Sequence, residues 1–174
     1  KSENDLPIEI FRQGNFFRPL KGKHRGGVFR SMESWDIFEF HCCYSVFEEE
    51  KFRELQNMLA KLTRELMLPV LWSDRPLISN NSKISSQTIA ADAILPMGKT
   101  LQVSAIYNQG QLMSELFKIG YKKNNTFIHT THINGFISRR AAYVNLFIGL
   151  KKDNTFFIHP KLAPIQVALL YHSD

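Results

Sequence analysis

The chain has 174 residues, with 22 Lys and Arg against 16 Asp and Glu, a formal net charge of +6, and 44% hydrophobic residues. That usage excludes an intrinsically disordered chain. No apolar run reaches the roughly 18 residues of a membrane-spanning helix, so no membrane partner is expected, and no signal-like segment opens the sequence. The two cysteines exclude a disulfide framework and a four-cysteine zinc site and point to a reduced, intracellular setting, cytoplasmic or organellar (mitochondrial or plastid). Lys1 stands where an initiator Met is expected, the start of a processed product or of a piece of a longer chain.

Leu6 to Phe11 alternates as a strand, and Gly14-Asn15 marks a turn before Phe16, Phe17 and Arg18. Lys21-Gly22-Lys23-His24-Arg25-Gly26-Gly27 reads as a loop. Glycine lets backbone N–H groups approach phosphates there, while Lys21, Lys23 and Arg25 neutralise charge. The G-x-x-x-x-G-K-[ST] spacing of a P-loop is absent. Val28 to Arg30 returns as a strand. Ile37 to Tyr44 alternates next, with Ile37, Glu39, His41 and Cys43 on one face and Phe38, Phe40, Cys42 and Tyr44 on the other.

Then the period changes. Phe52, Leu55, Leu59, Leu62 and Leu66 form the stripe of an amphipathic helix. Ser45 is its expected N-cap, Glu48, Glu49 and Glu50 complement its positive end, and Pro69 closes it. Residues 73–86 read as an exposed loop. Thr88 to Leu95 and Thr100 to Tyr107 read as strands around the turn Pro96-Met97-Gly98-Lys99. Gln111 to Ile119 is a short helix and Thr126 to Ile133 a strand. A further helix runs from Arg139 to about Leu150, with Ala141, Val144, Phe147 and Ile148 as its apolar face. The expected class is α+β: a mostly antiparallel sheet flanked by helices.

A sequence pI near 9.4 suits a partner rich in phosphate, such as RNA or a nucleotide. Arg18 precedes the basic loop, Arg30 follows it and Arg139 opens a helix, each offering a planar fork for phosphate or carboxylate oxygens. His24, His41, His129, His132, His159 and His172 show no metal-ligand spacing, and the adjacent His41-Cys42-Cys43 cannot converge on one ion from a strand. No protein-held metal site is expected.

Several of these segments resemble the class II aminoacyl-tRNA synthetases. Asp5 through Arg18, then Arg25-Gly26-Gly27-Val28-Phe29-Arg30, is similar to motif 2, two antiparallel strands whose loop carries an arginine at each end. Gly135-Phe136-Ile137-Ser138-Arg139 resembles motif 3, and the stretch from Leu150 to Val167 resembles the end of the prolyl-tRNA synthetase catalytic domain. Gln102-Val103-Ser104-Ala105 with Gly110 to Ser114 resembles that family's segment leaving the ATP site.

The resemblance implies a class II synthetase-like fold, with ATP and Mg²⁺ as cofactors and tRNA or other RNA as partner. Arg18 would hold the α-phosphate and the amino-acid carboxylate, and Arg30 the outer phosphates. Gln102 would hold the nucleotide and Arg139 the γ-phosphate end, so Arg18 and Arg139 are the expected catalytic residues. The departures are specific. Arg18-Pro19-Leu20 stands where the family carries Arg-x-Glu, and neither residue after the arginine can take over the acid's hydrogen bonds. Asp36-Ile37-Phe38 stands where the family has Trp-Gln-Glu, and Tyr107 where it has His, so an amino-acid pocket of Phe38, Tyr107 and Gly135 would be re-specified. Residues 1–164 would be a partial catalytic domain lacking motif 1, the segment through which the family forms homodimers, and residues 165–174 the start of an anticodon-binding-like domain. Two readings follow. One is a prolyl-like core that activates an amino acid and transfers it to tRNA. The other is a degenerate paralogue without aminoacylation activity, acting as an RNA-binding or structural subunit of a larger assembly.

Overall fold

The structure, a computed structural model, describes residues 2–17, 34–76, 84–95 and 98–171. Six strands form one antiparallel sheet: β1 (Ile8–Phe17), β2 (Ser34–Tyr44), β3 (Val70–Asp74), β4 (Gln87–Ile94), β5 (Thr100–Gly110) and β8 (Thr131–Ser138), in the order β1-β2-β8-β5-β4-β3. Two more, β6 (Gly120–Lys123) and β7 (Thr126–His129), pair as a separate hairpin. The helices are α1 (Glu49–Glu65), α2 (Leu112–Phe117) and α3 (Arg140–Gly149). The expected α+β class with a largely antiparallel sheet is therefore the observed one. None of the described helices is long and apolar enough to cross a membrane.

Four expectations are corrected, the first three because ladder pairing outweighs local propensity. β1 runs straight through Gly14 and Asn15, which pair with Ile37 and Asp36 instead of turning the chain. The strand expected over Thr126–Ile133 is two strands: β7 pairs with β6, while β8 lies between β2 and β5. The loop expected from residue 73 begins later, because Val70–Asp74 pairs with β4. The N-cap of α1 is Glu48, without a side-chain cap bond, and not Ser45. The strand expected at Val28–Arg30 lies outside the described residues.

One face of the sheet is backed by α1 and α3. Beneath α1, Phe40, Cys42, Tyr44, Ile106 and Ile133 pack against Phe52 and Leu59. Beneath α3, Leu101, Val103, Ala91, Ala93 and Ile137 pack against Ala141 and Val144. Gly135 makes the first contact possible: a Cβ there would collide with the Phe40 ring and stand 3.2 Å from Leu59 Cδ1. A side chain at that position would lift α1 off the sheet.

Candidate active site

The other face of the same strands is chemically different. Register places Arg12 opposite Glu39, Glu39 opposite Phe136 and Phe136 opposite Ala105, one row across four strands. The next row runs His41, Asn134, Tyr107 and Thr88. Glu39 is only 5% exposed, with Oε1 3.7 Å from Arg12 Nη1 and Oε2 3.5 Å from His41 Nε2. Asn134 Nδ2 donates to the Phe40 carbonyl at 2.8 Å and lies 3.4 Å from the His41 ring. Tyr107 stacks on Phe136, centroids 6.3 Å apart and planes at 20°. These two rows thus offer a buried carboxylate between a guanidinium and an imidazole, beside a flat aromatic wall.

A third row carries Cys43 and His132, whose Sγ and Nε2 are 2.6 Å apart and buried. Burial, and secondarily the charge of His41, holds His132 below its ordinary value.

One end of the sheet gathers the remaining features. β1 leaves there after Phe17, opposite the start of β2 at Ser34. β8 ends there at Ser138, opposite Ile37, and β5 enters there. Arg139 follows, its backbone N–H donating to Asp36 O at 3.0 Å and its guanidinium ion-paired with the Asp36 carboxylate. Gln102 lies two residues before Ser104, and Arg139 two beyond Ile137, the partner of Ser104. The two backbones therefore reach the same end. Gln102 sits between Leu101 and Val103, both in the core under α3, so its side chain turns to the open face with Asp92, its ladder partner. Asp92 is paired with Arg75. Among the described residues, no three carboxylate, imidazole or thiol groups are placed to hold a metal. A Mg²⁺ that arrives on nucleotide phosphates needs only one or two protein ligands.

No family model matches the chain. Curated relatives do. A proline–tRNA ligase of Methanoregula boonei is 33% identical over 177 residues, and one of Methanosarcina mazei 28% over 175, each alignment covering 98% of this chain. The chain spans 36% and 35% of their length. A solved Giardia lamblia prolyl-tRNA synthetase in complex with prolyl-adenylate matches with a TM-score of 0.78 and 24% identity, over 95% of this chain and 33% of its own, a likeness of fold. Over nearly its whole length the chain is similar to about a third of the prolyl-tRNA ligases and shares the fold of that part.

Within this fold the sequence-derived residues are distributed unevenly. Arg18, Arg30, Lys21, Lys23 and Arg25 lie outside the described residues. Gln102 and Arg139 come to one end of the sheet, and Tyr107 lies on the open face. Phe38 and Gly135 do not join them. Phe38 pairs with Ile137 on the helix-backed side and meets Phe11 at 6.1 Å, and Gly135 lies beneath Phe40. The pocket expected from Phe38, Tyr107 and Gly135 is thus split between the faces, because strand side chains alternate. Glu39, one residue on, is the acid that faces Tyr107's side of the sheet. Sequence reading did not single out Glu39, Arg12, Asn134 or the Cys43–His132 pair as site residues. The alternation of Ile37, Glu39, His41 and Cys43 was the signal for two of them, but a partner on another strand is invisible without register.

Proposed function

We propose that the chain is the adenylate-forming core of a prolyl-like synthetase. An amino-acid carboxylate attacks the α-phosphorus of ATP, the bond to the β-phosphate oxygen breaks, and pyrophosphate leaves. A hydroxyl of a tRNA terminus then attacks the acyl carbon of the adenylate, the anhydride bond breaks, and AMP leaves. In this reading Arg18 and Arg30, on the segment joining β1 to β2, hold the α-phosphate and the outer phosphates, Gln102 the nucleotide and Arg139 the γ-phosphate end. Tyr107 and Phe136 wall the amino-acid side. Fixed cations of this kind stabilise phosphoryl charge without a side-chain nucleophile. The observation that carries the reading is the gathering of the β1 exit, Gln102 and Arg139 at one end of an antiparallel sheet.

A second reading, the paralogue without aminoacylation activity, is favoured by two specific features. Leu20 stands where the family's acid grips adenine, and Asp36 already occupies the Arg139 guanidinium. An unmet adenine donor costs about 1–3 kcal/mol. Proline-dependent ATP–pyrophosphate exchange separates the two. Exchange above background, reduced roughly 10-fold or more in Arg139→Ala, supports adenylation. A chain that neither binds ATP nor exchanges pyrophosphate leaves only the second reading.

A further inference from the structure

The hairpin β6–β7 stands apart from the six-stranded sheet, paired from Gly120↔His129 to Lys123↔Thr126. Its tip, Asn124-Asn125, has φ of 50° and 62°, the two-residue turn that asparagine tolerates and whose twist suits paired strands. Tyr121 is buried on one face of this ribbon. The other face carries Gly120, Lys122, Phe127 and His129.

That face is organised around one ring. A Cβ at Gly120 would stand 2.6 Å from Phe127 Cζ, so the missing side chain lets the ring come down across the ladder. His129 meets the ring edge-on, centroids 5.1 Å apart at 87°, and its Nδ1 lies 3.1 Å from the Ser114 carbonyl of α2, which fixes the pair. Held this way, Phe127 is still 46% exposed. Lys122 lies directly opposite it, and Lys118, the left-handed C-cap of α2, follows the exposed Phe117. Among the described residues neither lysine makes an ion pair, whereas Lys123 is held by Glu3 at 2.8 Å.

A fixed aromatic face in water, flanked by uncompensated ammonium groups, takes a base by stacking and its phosphates by charge. We propose that this hairpin binds single-stranded RNA, a base stacking on Phe127 and the adjoining phosphates meeting Lys122 and Lys118. An apolar protein partner fits less well, since it would strip water from both lysines without supplying a counter-charge, and the chain's net charge of +6 suits a polyanion. The inference rests on the RNA partner common to both readings above and does not need adenylation.

The test is fluorescence anisotropy of a labelled oligouridylate of about 12 nucleotides, titrated with the chain at about 50 mM salt. Phe127→Leu, which keeps an apolar side chain but not the ring face, should weaken binding roughly 10-fold. Lys122→Gln, an exposed position that cannot unfold the domain, should weaken it and reduce the salt slope by about 0.7. Phe11→Leu, another exposed aromatic on edge strand β1, should change nothing. The proposal is overturned if the wild-type chain does not bind the RNA, or if Phe127→Leu and Lys122→Gln bind as the wild type does. It is equally overturned if Phe11→Leu weakens binding as much as Phe127→Leu. Pyrophosphate exchange measured in parallel keeps the failures apart: hairpin-dependent RNA binding without exchange supports this proposal while removing the adenylation reading.

Discussion

Two faces of one sheet divide the labour of this molecule. On the helix-backed face Phe40, Ile106 and Ile133 meet Phe52 and Leu59 in a dry core. On the open face, residues one step along the same strands, Glu39, His41, Asn134 and Tyr107, form a polar and aromatic array. Strand geometry is identical for both. What differs is whether a helix lies above. A shift of one residue would exchange the two sets, and Phe38 beside Glu39 illustrates how much one place matters.

Substitutions can sharpen or break that division. Phe52→Ala, at a fully buried position under α1, should cost about 3–5 kcal/mol in denaturant unfolding. Gly135→Val should cost about 1–3 kcal/mol or more, since its Cβ must displace the Phe40 ring and α1. On the open face Tyr107→Ala should cost about 1 kcal/mol, the value of the stack on Phe136. If Tyr107→Ala destabilises as much as Phe52→Ala, the open face is a second core and the division fails.

Titration probes the open face from another side. His132 is held below the ordinary histidine range by burial and by His41, so the unfolded chain binds a proton more readily than the folded one. Stability should therefore be full above about pH 6.5 and fall as the pH drops through that value towards the depressed folded one. His132→Asn should flatten the slope, read from melting temperature against pH. An unchanged slope would assign the acid sensitivity elsewhere. The smallest effect belongs to Arg12→Ala: its side chain is half exposed and 3.7 Å from Glu39, and loss of such a pair should cost less than about 1 kcal/mol.

Much of this was legible because it depended on local period. The alternation in β2 placed Cys42 and Cys43 on opposite faces, and they are: Cys42 lies in the core, its thiol pushed up to about 11 by burial, while Cys43 meets His132. The three-four stripe located α1, although Thr63 is fully buried while Leu62 is partly exposed, because the contact line of a helix is set by what it packs on. The turn expected at Gly14-Asn15 failed because an 11-residue neighbour strand offered ladder partners throughout.

The candidate site was readable only as residue types with suitable chemistry. Gln102 and Arg139 could be named one by one, yet their arrival at the same end of the sheet depends on β5 and β8 being neighbours, a pairing between segments far apart in sequence. The Asp36–Arg139 and Arg12–Glu39 pairs likewise join segments far apart in sequence.

The opening balance of charge shows the same limit. The sequence by itself determined that the chain is basic, globular and α+β, since composition and short-range period are properties of the chain. Only the tertiary structure decided which lysines are already neutralised, as Lys123 is by Glu3, and which make no ion pair among the described residues, as Lys122 beside the exposed Phe127 ring. The reason is physical: charge is counted along the chain, but partners are chosen across strands, where register and burial set every distance.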